Sequence, residues 1–340
     1  MKAIIKLRAE PGIWLGEVPK PIPGPSDALI KIHKTSICGT DIHIYNWDEW
    51  AQKHILVPLV IGHEFLGEVV ELGSNAKGFK IGDRVSGEGH IVCGYCFNCR
   101  TAESYLCPNM ISVGVSRQGC FAEYLCIPAL NVVKVPDYIP DEIATILDPL
   151  GNATHTALAF DLLGKNVLIT GAGPIGTMTA AIAKHAGAHT IIVTDVNDQR
   201  LALAKQMGAT EVVNIEKTSL NEIREKYSIK EGFHVAFEVS GHSPALQMMI
   251  ENVCFGASIA ILGFLPAETK IDWHAVTMKG LTIKGIYGRE IFRTWHQMFS
   301  MLDSGLNIQP VITHKLPIRD FEEAFKMMNR GVAGKIILEW

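Results

Sequence analysis

The chain has no long apolar run, and none of its hydrophobic stretches approaches the roughly 18 residues that cross a bilayer, so a membrane-spanning helix is not expected. It has no excess of one charge either. With 31 Lys and Arg against 35 Asp and Glu, and a net charge of −4, it carries no electrostatic footprint for nucleic acid or an anionic membrane. It lacks internal repeats, low-complexity tracts and long charge runs, which leaves an ordinary folded chain. Its first residues, Met1-Lys2-Ala3-Ile4-Ile5-Lys6, lose their apolar character at Lys6 and Arg8 and offer no secretory core. The expected address is the cytoplasm.

Cysteine, by contrast, is present eight times. Without an export signal these thiols point to metal or thiol chemistry in a reducing compartment, since disulfides persist mainly in oxidising ones. At 340 residues the chain exceeds one comfortable core and divides most naturally into two domains. Lys2 to Leu7, Ile13 to Val18, Ala28 to Thr35, Phe65 to Leu72 and Phe121 to Ile127 are rich in β-branched and aromatic residues, as strands require. Pro19, Pro21, Pro23, Gly24 and Pro25 break the chain between the second and third. The first 150 residues therefore predict a small, mostly antiparallel β-domain carrying long loops.

From Gly164 the pattern changes to compact apolar strands alternating with helices, the signature of a doubly wound parallel sheet and an α/β class. Strands are expected at Asn166 to Thr170, Thr190 to Thr194, Val212 to Ile215, Val235 to Glu238 and Ser258 to Leu262. Helices are expected between them at Ile175 to His185, Asp198 to Met207, Ser219 to Lys226 and Pro244 to Val253. Two amphipathic helices, Phe292 to Leu302 and Phe321 to Asn329, and the strand Lys335 to Trp340 close the chain. Periodicity leaves open whether they finish the second domain or return to the first.

The stretch from Cys38 to Glu64 carries the chemistry. Cys38, His63 and Glu64 offer a thiolate, an imidazole and a carboxylate, three ligands that leave the fourth tetrahedral position of Zn²⁺ open for water or substrate. Thr40 and His43 follow the thiolate, and a hydroxyl with a titratable imidazole can pass a proton from an alcohol towards solvent. The plainer reading makes Cys38 a buried thiol and each His a hydrogen-bonded loop residue.

A second cluster, Cys93-x2-Cys96-x2-Cys99-x7-Cys107, packs four thiols into one loop. Four thiolates close on one Zn²⁺ as a saturated structural site. An iron–sulfur cluster also begins C-x2-C-x2-C and is followed here by Pro108, but the bacterial spacing then closes after three residues, not seven. Cys120, Cys126 and Cys254 fit no such pattern and are expected to be buried thiols.

Gly171-Ala172-Gly173-Pro174-Ile175-Gly176 places G-x-G-x-x-G between a predicted strand and a predicted helix. Gly171 makes the turn, Gly173 admits a pyrophosphate against the backbone, and Gly176 lets helix and strand close up. Asp195, at the end of the next strand, suits both ribose hydroxyls and repels a 2′-phosphate, which favours NAD over NADP. Arg200 nearby suits a 2′-phosphate, the adenine ribose or a surface ion pair.

Taken together, Cys38, Gly62-His63-Glu64 with Gly67 and Gly73, the four-cysteine lobe and the nucleotide loop resemble the zinc-containing, medium-chain alcohol dehydrogenase family over essentially the full length. The resemblance implies a GroES-like β-rich catalytic domain over 1–150, a Rossmann domain over 151–290, and a segment 291–340 returning to the catalytic domain. It implies that Cys38, His63 and Glu64 hold a catalytic zinc, and that Thr40 and His43 form a proton relay. Asp148 stands where many relatives place a cysteine or glutamate ligand, so it either binds the metal or stands behind it. For NAD the resemblance points to Ile175, Asp195, Arg200, Leu262-Gly263-Phe264 and Ile286-Tyr287, with Trp47, Trp50 and His90 as candidates to line a substrate cleft. The runs from Cys38 to Trp50, Gly87 to His90, Asp148 to Asn152 and Gly285 to Glu290 resemble the branch of this family that oxidises L-threonine to L-2-amino-3-oxobutanoate, and imply a homotetramer. A polyol, diol or simple alcohol is the competing substrate class, and a non-catalytic sensor the competing role.

Overall fold

Ala3, Ile4 and Ile5 turn inward from the first strand, β1 (Lys2–Lys6), which pairs with β2 (Trp14–Glu17) across the chain's first turn. The prolines that follow cannot donate to a ladder, and the chain stays irregular until β3 (Asp27–Ser36). In the computed structural model, which describes residues 1–340, two units separate: Met1–Pro149 with Ile312–Trp340, and Leu150–Val311.

In the first unit, β3 is the central strand. It is followed by the helices α1 (Gly39–Asn46) and α2 (Glu49–His54), then β4 (Leu59–Val60) and β5 (Glu64–Leu72). Next come β6 (Arg84–Gly87) and β7 (His90–Ile91), the short helix α3 (Phe97–Arg100), and the strands β8 (Ile111–Ser112), β9 (Tyr124–Pro128) and β10 (Val132–Lys134). β5 and β9 both pair antiparallel with β3, and β6 and β10 extend the sheet beyond β5. Ile30, Ile32, Phe65, Val69, Leu125 and Ile127 meet in one core beneath these strands. Each such side chain stabilises the fold by roughly 1.5–3 kcal/mol on burial. The helices α4 (Asp141–Thr145) and α5 (Leu147–Ala157) lead onward.

The second unit is a six-stranded parallel sheet. Its elements run β11 (Asn166–Thr170), α6 (Pro174–His185), β12 (Thr190–Asp195), α7 (Asp198–Gln206), β13 (Glu211–Asn214), α8 (Leu220–Lys226), β14 (Phe233–Glu238), α9 (Ser243–Asn252), β15 (Val253–Ile261), α10 (Trp273–Met278) and β16 (Thr282–Gly285). The strand order β13-β12-β11-β14-β15-β16 is that of a dinucleotide fold, with the order reversing between β11 and β14. Val167, Ile169, Val193 and Phe237 enter one apolar cluster, while Leu168, Ile192, Ala236 and Ile259 enter another. Burial on both faces explains why these strands read as continuous apolar runs. The short, mixed Thr282–Gly285 strand gave no such signal.

The helix α11 (Arg293–Asp303) also belongs to the second unit, which extends to Val311. The returning segment thus starts at Ile312 and not at residue 291. The reason is packing: Trp295 and Met298 are buried, and His185 Nε2 meets Ser304 Oγ at 3.0 Å, tying the end of α11 to the end of α6. From Ile312 the chain adds β17 (Ile312–Pro317), α12 (Phe321–Asn329) and β18 (Lys335–Glu339) to the first unit. β18 pairs antiparallel with β3 and parallel with β17, and Phe325 packs edge-on against Phe121 at 6.3 Å.

Candidate metal centres and cofactor loop

Cys38 sits at the N-cap of α1, where Asp41, the third helical residue, accepts the Cys38 N–H at 2.9 Å. His63 precedes and Glu64 opens β5, directly after Gly62, whose φ is +88°. A Cβ at Gly62 would fall 2.1 Å from the Phe121 ring, so only glycine fits the bend that turns His63 and Glu64 towards Cys38. The ligand atoms of Cys38, His63 and Glu64 all lie within 4.8 Å of one another. Glu64 is fully buried, whereas Cys38 and His63 keep partial exposure. Thr40 Oγ1 stands 3.8 Å from Cys38 Sγ, and His43 lies one helical turn further on with half its side chain exposed.

The donor set fits a divalent metal. His63 Nδ1 and Glu64 Oε1 are buried without hydrogen-bond partners. Burial alone would pull the His63 imidazole down, but the Cys38 thiolate, then Asp41 and Asp148, outweigh it and push the ring up to about 10. A pocket that holds a proton so tightly has surplus negative charge, which a cation satisfies. Burial likewise pushes the Glu64 and Asp41 carboxyls up, with Asp148 adding to the effect on Glu64. Asp148 stands outside the three-residue donor group and acts on His63 and Glu64 through its charge.

Three neighbours gave no signal as parts of this site. Lys335 Nζ lies 2.5 Å from Glu64 Oε2 and donates to Ile37 O at 2.6 Å, with both members of the ion pair buried. The Cys120 thiol donates to Glu64 O at 3.5 Å. Asp41 anchors the N-cap. A lone Lys opening an apolar strand was the available hint for the first; the other two had none.

In the lobe, the sulfurs of Cys93 and Cys107 are 3.6 Å apart, those of Cys96 and Cys107 3.9 Å, and those of Cys93 and Cys99 4.0 Å. Four sulfurs at about 2.3 Å from one tetrahedral ion stand roughly 3.8 Å apart, so the spacing suits a single zinc. It is far too long for a disulfide, and all eight cysteines are free. Cysteines that each bound a different iron of a cluster would have to stand further apart. Burial raises the Cys93 thiol, but the N–H groups of Tyr95 and Cys96 outweigh it and bring it down to about 6; Cys99, raised by burial and by its neighbouring thiols, goes up to about 12.

In the second unit the nucleotide loop follows β11. A Cβ at Gly176 would fall 1.9 Å from Gly171 O, so helix and turn touch there, whereas one at Gly173 would meet no protein atom within 4 Å. Open space at the N-terminus of α6 is what a pyrophosphate needs. Asp195 Oδ2 accepts from Ala172 N at 2.7 Å and Oδ1 from Val196 and Asn197 N at 2.8 and 2.9 Å, which fastens the loop to the end of β12. Arg200 has a buried Nε without a partner. Ile175 begins α6; Leu262 and Gly263 donate to Glu238 O at 2.9 and 3.1 Å; Phe264 is exposed. Ile286 is a buried core residue, and Tyr287 is half exposed beside it. All these groups gather at the carboxyl ends of the parallel strands, where such sheets bind ligands. Glu238, buried at the end of β14 and accepting from Ser240 N at 2.9 Å, was not foreseen.

Residues 24–137 match the family described as Alcohol dehydrogenase GroES-like domain, and residues 174–304 match Zinc-binding dehydrogenase. A protein named L-threonine 3-dehydrogenase from Proteus mirabilis is 56% identical across the whole of both chains. This chain belongs to the zinc-containing alcohol dehydrogenase family. Solved structures agree with that membership. A short chain alcohol dehydrogenase from Escherichia coli, complexed with NADH, is similar with a TM-score of 0.92 and 25% identity over 100% of this chain and 99% of its own. The 2R,3R-butanediol dehydrogenase of Bacillus subtilis is similar with a TM-score of 0.88 and 26% identity over 100% and 99%. The two matched spans of the alcohol dehydrogenase family fall one in each unit.

Proposed function

We propose that the chain oxidises the 3-hydroxyl of L-threonine with NAD, giving L-2-amino-3-oxobutanoate. The observation that carries the reading is the full-length identity of 56% with a relative named for that reaction, against 26% for the butanediol dehydrogenase neighbour. The gathering of Cys38, His63 and Glu64 beside Thr40 and His43 supports it.

Cys38, His63 and Glu64 would hold one Zn²⁺, whose Lewis acidity lowers the pKa of the substrate hydroxyl. Thr40 takes the hydroxyl proton and passes it to His43, three residues on along the same helix face, and the exposed imidazole releases it to solvent. Asp148 and Asp41 set the negative potential around the donor set, and Lys335 fixes Glu64 within it. NAD supplies the hydride acceptor. The backbone at Gly173 would hold its pyrophosphate and Asp195 its ribose, where the carboxylate would repel a 2′-phosphate. A second Zn²⁺ in Cys93, Cys96, Cys99 and Cys107 is structural. The proposal includes catalytic and cofactor roles for the first and second units, a homotetramer, and a cytoplasmic address, which eight free cysteines suit.

The competing substrate class is a polyol or diol, favoured by the likeness to the butanediol dehydrogenase. Steady-state assays with L-threonine, sorbitol and 2,3-butanediol, with NAD or NADP and with or without a chelator, decide between them. The expected result is chelator-sensitive NADH formation from L-threonine. No turnover of threonine, or a clear preference for NADP, overturns the reading.

A further inference from the structure

α1 ends at Asn46, within one turn of His43. Trp47 adopts a left-handed φ of +53°, and Asp48 N returns to His43 O at 3.4 Å, so the residue after the turn doubles back over the last turn of the helix. Asp48 then uses its two oxygens separately. Oδ1 accepts Ala51 N at 3.0 Å and caps α2, while Oδ2 is hydrogen-bonded to His43 Nδ1. A carboxylate only accepts, so the shared proton resides on Nδ1, and in the neutral ring the basic lone pair is left on Nε2.

The surroundings single out this carboxylate. Burial pushes the Asp48 carboxyl up, but the Ala51 N–H and His43 outweigh it and hold it below its ordinary value, so it stays an anion. α2 faces His43 with the Trp50 ring at 5.9 Å; His54 stacks behind that ring at 5.1 Å, and its Nδ1 meets Trp50 O at 2.7 Å. Glu49 on α2 is engaged by Lys53 at 2.6 Å. α12 packs on α1 through Asn329 and Asn46 at 3.0 Å, and its Lys326 lies 3.9 Å from Glu322. Asp48 is the charge the imidazole touches.

We propose that Asp48 is the positioning residue of the proton relay: it fixes His43 as the Nδ1–H tautomer with Nε2 as the acceptor, while its other oxygen seats α2 and Trp50. The inference rests on His43 acting as the relay. It adds a residue that matters through orientation and tautomer, not through contact with substrate. Because the two oxygens do separate jobs, the roles can be separated. Asparagine caps a helix as well as aspartate does, so Asp48→Asn keeps the bond from Ala51 N and removes the anion facing Nδ1.

The test compares wild type, Asp48→Asn, Asp48→Ala and His43→Gln as zinc-loaded enzymes with L-threonine and NAD. Asp48→Asn is expected to lower kcat about tenfold or more, with the KM for NAD and the thermal midpoint unchanged. Independently of turnover, long-range ¹⁵N–¹H spectra, assigned by the His43→Gln variant, show His43 as the Nδ1–H tautomer in wild type and shifted towards Nε2–H in Asp48→Asn. Asp48→Ala loses these features and also lowers the thermal midpoint. If His43→Gln turns over at the wild-type rate, the relay reading fails and takes the inference with it. If His43→Gln is impaired while Asp48→Asn matches wild type in kcat and tautomer, the inference alone is overturned.

Discussion

Lys335→Met tests how the buried ion pair and the metal share one carboxylate. Methionine keeps most of the lysine stem and removes the charge, so the perturbation is electrostatic. In the metal-free protein the fully buried Glu64 then loses its ion-pair partner and faces Asp148 with only the His63 imidazolium as a neighbouring cation, and breaking a buried pair in this way costs about 3–5 kcal/mol. With Zn²⁺ bound, the ion supplies the missing positive charge. The remaining cost is the lost donor to Ile37 O, about 1–3 kcal/mol. The difference of about 2 kcal/mol must appear, by linkage, as zinc binding to the variant roughly ten- to thirtyfold more tightly. Zinc affinity measured by chelator competition, and urea unfolding of the first unit with and without metal, read the two sides of the cycle. Unchanged or weaker zinc affinity, or equal destabilisation of the two forms, would refute the reasoning.

Cys38→Ser is expected to reduce zinc from two to one per chain and to lower kcat by more than about a hundredfold while circular dichroism stays unchanged; retained turnover would contradict the ligand role. Cys99→Ser removes the other zinc and should lower the thermal midpoint of the first unit, because metal binding there is folding free energy. A Cys99→Ser protein that folds with normal stability but is inactive would instead place the lobe in the chemistry. Glu142 is hydrogen-bonded by Lys315 at 2.7 Å, and together with Lys34 this outweighs burial and holds its carboxyl down at about 2, below the ordinary 4.5. Its folded value is depressed, so its contribution is present above about pH 4.5 and is lost as the pH falls towards 2. Glu142→Gln should therefore be less stable than wild type at neutral pH, and the two should converge over that window.

Much of the fold was legible because it is written in local spacing. The strand and helix of the nucleotide loop, the four cysteines and the aliphatic strands of the parallel sheet each declare themselves within a few residues, through periodicity and glycine placement. Periodicity leaves α11 open between the two units, because an amphipathic pattern states that a face is buried without stating against what, and the boundary at 291 rests on the family resemblance alone. β16 and β17 were missed because short strands of mixed polarity carry no period.

The sequence by itself determined the chemistry available: three residues that could hold one metal ion, four thiols that could hold another, and an acidic residue beside a glycine loop. Only the tertiary structure decided how those groups are tuned. Lys335 reaches Glu64 because β18 pairs with β3, and Asp148 and Asp41 charge the same pocket from separate elements. Asp48 meets His43 because Trp47 reverses the chain. Ligand identity is a property of a residue, but the potential around it is a sum over neighbours, and folding chooses the neighbours.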